Sequence, residues 1–175
     1  MTKIAVIYGS SRPSKAGEAV ANWFVGQVEP ADGVEVEMID LAELNLPMIK
    51  DEMPPIAGQY NEQSTKDWSA QASKYDAYVF VVAEYNLGYT PILKNAIDTL
   101  FAEWNEKSAA LISYGSFPQS SAAEQLKTVL KPFKMKVSEK TLHVSPIHEA
   151  VGDDGKLDDD KVAGDSPQDI LDSIS

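Results

Sequence analysis

The chain has 175 residues and no cysteine, so a core burying roughly 70% of the unfolded surface is attainable, while disulfides, thiol nucleophiles, thiolate zinc sites and cysteine-held iron–sulfur clusters are excluded. Lys and Arg number 15 against 27 Asp and Glu, a formal charge of −12, the wrong sign for gripping phosphate backbones or anionic lipid; neither nucleic acid nor a membrane is expected as a partner. The longest apolar runs, such as 77–83, fall far short of the roughly 20 residues that span a bilayer, and the expectation is a cytoplasmic protein forming one domain over 1–175.

In chain order, the unbroken apolar run Ile4–Tyr8 reads as a buried parallel strand. Ala16, Val20, Trp23, Phe24 and Gln27 then recur at helical spacing. Val34, Val36 and Met38 alternate with Glu35 and Glu37, which suits a strand near a sheet edge with one wet face. Residues 44–59 carry Pro47, Pro54 and Pro55, too many for a helix, yet Leu46, Met48, Ile49, Met53 and Ile56 are too apolar for an idle linker, so this segment is expected to lie against something. Ser64–Tyr75 reads as a helix with Trp68 and Ala72 inward, and Ala77–Ala83 as the third strand. Leu93, Ala96, Ile97, Leu100, Phe101 and Trp104 form the strongest helical stripe. Ala109–Tyr114 is the fourth strand, and the helix of Ala122, Leu126, Val129 and Leu130 is stopped by Pro132. Leu142–Ile147 is the fifth strand. From Glu149 to Ser175 nine acids meet two lysines, which reads as a solvated acidic connection followed by a short helix at Pro167–Ile174. The aspartates around Gly152 and Gly155 lack the alternating ligands and closing glutamate of a calcium loop, so no metal site is expected. Strands alternating with helices define an α/β class with a doubly wound parallel sheet of five strands.

Ligands of such sheets sit beyond the carboxyl ends of the strands. Three loops therefore matter: 9–17, 83–91 and 114–120. The first brings Ser10, Arg12, Lys15 and Gly17 to a helix start, the donors, cations and dipole that a phosphate monoester needs. Arg12 is the only arginine, and residues 1–15 carry three cations and no acid within an acidic chain. An ordinary strand-to-helix turn capped by its serines stays open beside that reading. A Walker loop would need glycine at Ser14 and a hydroxyl at Ala16, and a dinucleotide fingerprint would need glycine at Ser11 and Ser14, which also removes Asp40 as a ribose ligand. Tyr8 and Gly9 stand where a phosphorylation receiver would want acids. The second loop offers Glu84, Tyr85, Asn86 and Tyr89 to a flat heterocycle, with Gly88 permitting close approach, while Thr90-Pro91 starts a helix. Turn-forming or surface roles for the same residues remain open. His143 and His148 flank strand five, away from these loops, and read as packing or surface residues. No triad or paired carboxylate projects from the right strand ends, so no side chain is assigned a catalytic role; if the chain is an enzyme, its hard chemistry is expected to belong to a bound organic cofactor.

Gly-Ser-Ser-Arg-Pro at 9–13, Ala-Glu-Tyr-Asn at 83–86 running into Gly-Tyr-Thr-Pro-Ile-Leu-Lys-Asn-Ala-Ile-Asp at 88–98, and Ser-Tyr-Gly at 113–115 together resemble the NADPH-dependent FMN reductase family, with its quinone- and azo-reducing members. The resemblance spans 3 to about 140 and implies a flavodoxin-like fold with strand order 2-1-3-4-5. It implies that Ser10, Arg12, Lys15, Gly17 and Glu18 surround the FMN phosphate. Ala83, Glu84, Tyr85 and Asn86 would edge the isoalloxazine ring, and Tyr114, Gly115 and Ser116 would close its other side. The co-substrate implied is NADPH or NADH, and the acceptor a quinone, azo compound or free flavin. It further implies a homodimer or tetramer, with Leu46–Ile56 and the Phe101–Trp104 face as available surfaces. Two departures stand out: Ala83 replaces a usual proline, and Ser116-Phe117-Pro118-Gln119-Ser120 replaces a glycine-rich run. With the acidic tail, the second departure motivates an alternative, a non-catalytic relative acting through protein contacts. A one-electron carrier of flavodoxin type is the third reading.

Overall fold

The computed structural model describes residues 1–10, 12 and 16–175. Its strands are β1 Thr2–Tyr8, β2 Val34–Asp40, β3 Ala77–Ala83, β4 Ser108–Tyr114, β5 Lys136–Val144 and β6 Val162–Gly164. Its helices are α1 Ala16–Gln27, α2 Leu41–Leu44, α3 Gln63–Ala72, α4 Pro91–Asp98, α5 Ser121–Leu130, α6 Ile147–Ala150 and α7 Pro167–Asp172. The sheet order is β2-β1-β3-β4-β5-β6, with β1 to β5 parallel and β6 antiparallel to β5. Order 2-1-3-4-5 thus stands as expected, and the alternating Val34–Ile39 run is an edge strand.

Period-two alternation sorts each strand between two cores. Ala5, Ile7, Tyr78, Phe80 and Leu111 meet Trp68, Leu93, Ile97 and Leu126 of α3, α4 and α5. Ile4, Val6, Val79, Val81 and Ile112 meet Val20, Phe24, Ile170 and Leu171 of α1 and α7. All seven residues of β3 are buried, as a strand covered on both faces must be. Because α1 and α4 leave β1 and β3 for opposite faces, the chain reverses between those strands, and a crevice opens there at their carboxyl ends.

The structure corrects four expectations. The acidic tail is not merely a solvated connection: β6 covers the free edge of β5 and makes the sheet six-stranded, which blunts an otherwise open ladder. Gly164 is required at that edge, because its φ is +114° and a Cβ would lie 2.2 Å from the Thr141 carbonyl oxygen. Asp165 fastens the turn by accepting from the Thr141 N–H at 2.8 Å and from Lys140 Nζ at 2.9 Å. The strong stripe after residue 91 is not one helix either: α4 ends at Asp98, and 99–106 turn back beneath it. The stripe survives because Leu100 and Trp104 still point into the core, so Trp104 is 1% exposed and offers no face to a second copy. β5 starts earlier than expected, at Lys136, and stops at Val144, before Pro146, which has no N–H to give a ladder.

The proline-broken segment is the fourth correction. It is pinned rather than covered. The buried Asn95 side chain donates to the carbonyls of Leu46 (3.3 Å) and Pro47 (3.0 Å) and accepts from the Ile49 N–H (3.2 Å). Leu46 packs on the core, yet Met48, Ile49, Met53 and Ile56 are exposed, Met48 and Ile56 by 69% and 67%. Asp40 caps α2 by accepting from the Ala42 N–H at 2.7 Å. Asp51 does the corresponding work for α3, whose own cap residue Glu62 makes no side-chain bond. It accepts from the Thr65 hydroxyl at 2.6 Å and from the N–H groups of Asn61 (2.5 Å) and Glu62 (3.0 Å).

Those donors, Thr65 foremost, hold the Asp51 carboxyl below the ordinary carboxylate range. Since the folded pKa is the lower one, the stabilisation is complete above the unfolded value and is lost as pH falls through the folded value. Asp51→Asn is therefore expected to lower the melting temperature at pH 7, with the gap to the wild type narrowing as pH falls below the ordinary carboxylate range of about 4. Parallel melting curves from pH 3 to pH 7 check this. A melting-temperature gap that stays constant across the range contradicts it.

Candidate functional site

β1 runs into the buried Gly9, where a Cβ would meet Leu41 Cβ at 2.6 Å and Ile92 Cδ1 at 2.9 Å. Only glycine lets α2 and α4 close on the strand end here. The buried Thr90 hydroxyl donates to the Gly9 carbonyl at 3.2 Å and caps α4, so the starts of both site loops are tied together. Ser10 extends the tie, its Oγ lying 2.5 Å from the Tyr85 hydroxyl and 3.2 Å from the Arg12 N–H that donates to it.

The tip of the second loop is a two-residue hairpin turn. Tyr85 N–H donates to the Gly88 carbonyl (2.7 Å) and Gly88 N–H to the Tyr85 carbonyl (2.9 Å). The intervening Asn86 and Leu87 have φ of +49° and +70°, the pattern of a type I′ turn. Gln125 Nε2 donates to the Leu87 carbonyl at 2.8 Å and holds the tip from α5. The positive φ thus falls on Asn86 and Leu87 rather than on Gly88, where a Cβ would find only ordinary contacts with the protein at 3.6 Å. A leucine in the left-handed region costs about 1–2 kcal/mol, and this one is 56% exposed, with little burial to offset the cost. Leu87→Gly is expected to stabilise the ligand-free protein by about 1 kcal/mol, a rise of roughly 2–4 °C in melting temperature. A calorimetric scan without cofactor measures it; a fall in melting temperature refutes the strain.

Glu84 precedes this turn and is oriented by the third loop. Its Oε2 accepts from the Ala122 N–H at the start of α5 (3.2 Å), where the helix dipole favours a carboxylate. Its backbone N–H donates to the Tyr114 carbonyl (3.0 Å). Gly115 is buried beneath it, with space for a Cβ only 3.2 Å from Glu84 Cβ. On the opposite face of the sheet, Gly17 in the first turn of α1 meets the Tyr114 hydroxyl, 2.8 Å from where a Cβ would stand. That contact seats α1 against β4. Burial raises the Tyr114 phenol above its ordinary pKa, and burial together with Asp40, Glu18 and Glu43 pushes Tyr8 up to about 12. Both phenols are neutral donors at physiological pH.

Arg12, Glu84, Tyr85, Asn86, Leu87, Ser116 and Phe117 line a cavity of about 810 Å³ at the crevice between β1 and β3. Five of these were expected. Leu87 belongs to the second loop without an assigned role, and Phe117, part of the departure from the family pattern, stands where it can fill ligand space or stack on a bound ring. Ser10 is hydrogen-bonded to Tyr85, while Ala83, Gly17, Tyr114 and Gly115 are buried and lie outside the lining. Glu18 lies in the first turn of α1, and Lys15 lies outside the described residues. His143 overturns its expectation of standing apart: its Nε2 is 2.7 Å from the Phe117 carbonyl oxygen, directly under the third loop. His148 is exposed beside Glu149, as expected. No group of three or more His, Cys, Asp or Glu among the described residues is placed to hold a metal ion.

A parallel sheet with a crevice at its switch point, lined by the lone guanidinium and by aromatic rings, defines a flavodoxin-like mononucleotide-binding protein. Residues 2–149 match the family of NADPH-dependent FMN reductases, and the chain belongs to that family. It is 38% identical to an NAD(P)H-dependent FMN reductase of Nectria sp, over 79% of this chain and 72% of that one. It is 37% identical to one of Schizosaccharomyces pombe, over 78% and 69%. Among solved structures it is similar to a flavoenzyme NAD(P)H:acceptor oxidoreductase from Paracoccus denitrificans (TM-score 0.64, 23% identity, 92% of this chain and 88% of that one). An azoreductase from Bacillus anthracis shares the fold (TM-score 0.59, 17% identity, 85% and 89%). The chain is thus an oxidoreductase that uses FMN with a reduced nicotinamide as co-substrate. None of its described helices is long and apolar enough to cross a membrane.

The residues present fit FMN. The cavity volume lies within the range of cofactor pockets, about 300–1,000 Å³, and its lining pairs one always-charged, fork-shaped donor with ring-sized apolar and aromatic walls.

Proposed function

We propose that residues 1–175 act as one flavodoxin-like unit that reduces a quinone, an azo compound or free flavin in the cytoplasm, where reduced nicotinamide is supplied. Bound FMN supplies the acceptance of hydride from nicotinamide and its onward release as two electrons. The chain supplies the rest. Arg12 and the donors of the 9–17 loop, with Ser10 and Lys15, hold the phosphate at the start of α1. Ala83, Glu84, Tyr85 and Asn86 edge the ring, and Tyr114, Gly115 and Ser116 set the opposite boundary. Leu87 and Phe117 exclude water from the ring faces. The observation that carries the reading is the placement of the sole arginine and the Tyr85–Asn86 turn on one cavity at the strand-order reversal.

Purified protein given FMN should be yellow and should bleach on anaerobic addition of NADPH, then recover colour with a quinone or azo dye. Protein that stays colourless after reconstitution with FMN overturns the assignment and favours the non-catalytic reading. Flavin that binds but is not reduced by NADPH or NADH favours a one-electron carrier. The same reading includes a homodimer or tetramer, supported by the exposed apolar side chains of Met48, Ile49, Met53 and Ile56. Light scattering of the eluting protein checks it, and a single monomeric peak at micromolar concentration removes it.

A further inference from the structure

We propose that His143, oriented by Ser113, is a positioning residue that holds the turn after β4 so that Phe117 walls the flavin cavity. The inference rests on the flavin reading above and assigns a residue that the three site loops do not contain. Ser113 and His143 are direct cross-strand partners of β4 and β5, so their side chains project from the same sheet face. The Phe117 carbonyl oxygen can only accept, so Nε2 of His143 carries the proton in that 2.7 Å bond. In the tautomer with its proton on Nε2, Nδ1 is an acceptor, and the Ser113 hydroxyl, 2.7 Å away, donates to it. Ser113 is 4% exposed and part of a rigid central strand, which fixes the ring that fixes the turn.

The turn has little else to hold it. Ser116, Phe117, Pro118 and Gln119 are all exposed, and among the described residues the His143 bond is the one hydrogen bond that reaches their backbone. A second cavity of about 610 Å³ is bordered by Ser113, Pro118, Gln119, Thr141 and His143, so the turn stands between two open spaces. Phe117 is 63% exposed and lines the main cavity with Tyr85. A wall that is neither packed nor hydrogen-bonded elsewhere takes its position from its one anchor, and a pre-set wall lowers the ordering cost of binding a flat ring.

The test is FMN affinity of the apoprotein, read from quenching of flavin fluorescence, together with melting temperature. His143→Leu, which keeps bulk and removes the donor, should weaken FMN about 3- to 10-fold, the fold-change expected for one neutral hydrogen bond. His143→Gln, whose Nε2 can donate from nearly the same place, should restore most of the loss. In a Phe117→Ala background, His143→Leu should add little, because the wall it positions is already gone. Unchanged FMN affinity in His143→Leu, no rescue by Gln, or full additivity with Phe117→Ala overturns the inference while leaving the flavin reading intact. A wild-type apoprotein that fails to bind FMN removes both. A lowered melting temperature in His143→Leu does not by itself support the inference, since a purely structural histidine would give it without the rescue or the non-additivity.

Discussion

Arg12→Ala is expected to weaken FMN binding about 10- to 150-fold, the largest loss that any single lining residue should produce. The magnitude follows from removing a charge-assisted bond of roughly 1.5–3 kcal/mol from a doubly anionic phosphate. No other arginine exists in the chain to substitute for it, and the surrounding charge is strongly negative, so the local field of the 1–15 segment depends on three cations. Arg12→Lys should recover part of the loss, because charge is kept and the planar fork is not. Arg12 is exposed and carries no core packing, so the folded stability of the ligand-free variant should change little. Fluorescence titration of the apoprotein with FMN, and in parallel with riboflavin, separates the contributions: riboflavin lacks the phosphate, and its affinity should be unaffected. Equal losses for both ligands would place Arg12 against the ring and remove the phosphate-loop assignment.

Much of this site could be read from the chain before any coordinates. The β1 and β3 loops announced themselves through residue types that a parallel sheet's carboxyl edge uses, and both do meet at one cavity. What the sequence concealed depends on pairing between distant segments. His143 lies 26 residues from Phe117, and its role requires knowing that β4 and β5 are neighbours in a register placing it opposite Ser113. That register was hidden because the polar, alternating start of β5, Lys136–Thr141, did not look like a buried strand. β6 was hidden similarly: three residues in an acidic run have no periodicity, and Gly164 was its only local mark. Leu87 escaped because its backbone angle, not its chemistry, makes it unusual.

Trp104→Ala is expected to destabilise the fold by about 3–5 kcal/mol, a fall of roughly 6–20 °C in melting temperature for a chain of this size. Helical periodicity placed Trp104 on the same stripe as Leu93 and Ile97, although the helix stops at Asp98. The periodicity remained informative because the turns of 99–106 return the same apolar positions to the same core. Trp104 packs against Tyr78 with ring centroids 4.8 Å apart, against Trp68 at 5.9 Å and against Phe80 at 6.1 Å. Its Nε1–H donates to the Ile97 carbonyl at 3.0 Å, satisfying an acceptor near the carboxyl end of α4. Alanine there removes three aromatic contacts and the helix-end donor together, within the layer that carries α4 and therefore Thr90 and the Gly9 loop. Phe101→Ala is the internal control, since that ring is only half-buried and touches Phe133 at 5.2 Å; its cost should be less than half as large. Were Trp104 instead a surface residue reserved for a second copy, its removal would change the oligomeric state and leave the melting temperature of the monomer alone. Thermal melts and light scattering on the two variants, run at one protein concentration, distinguish these outcomes.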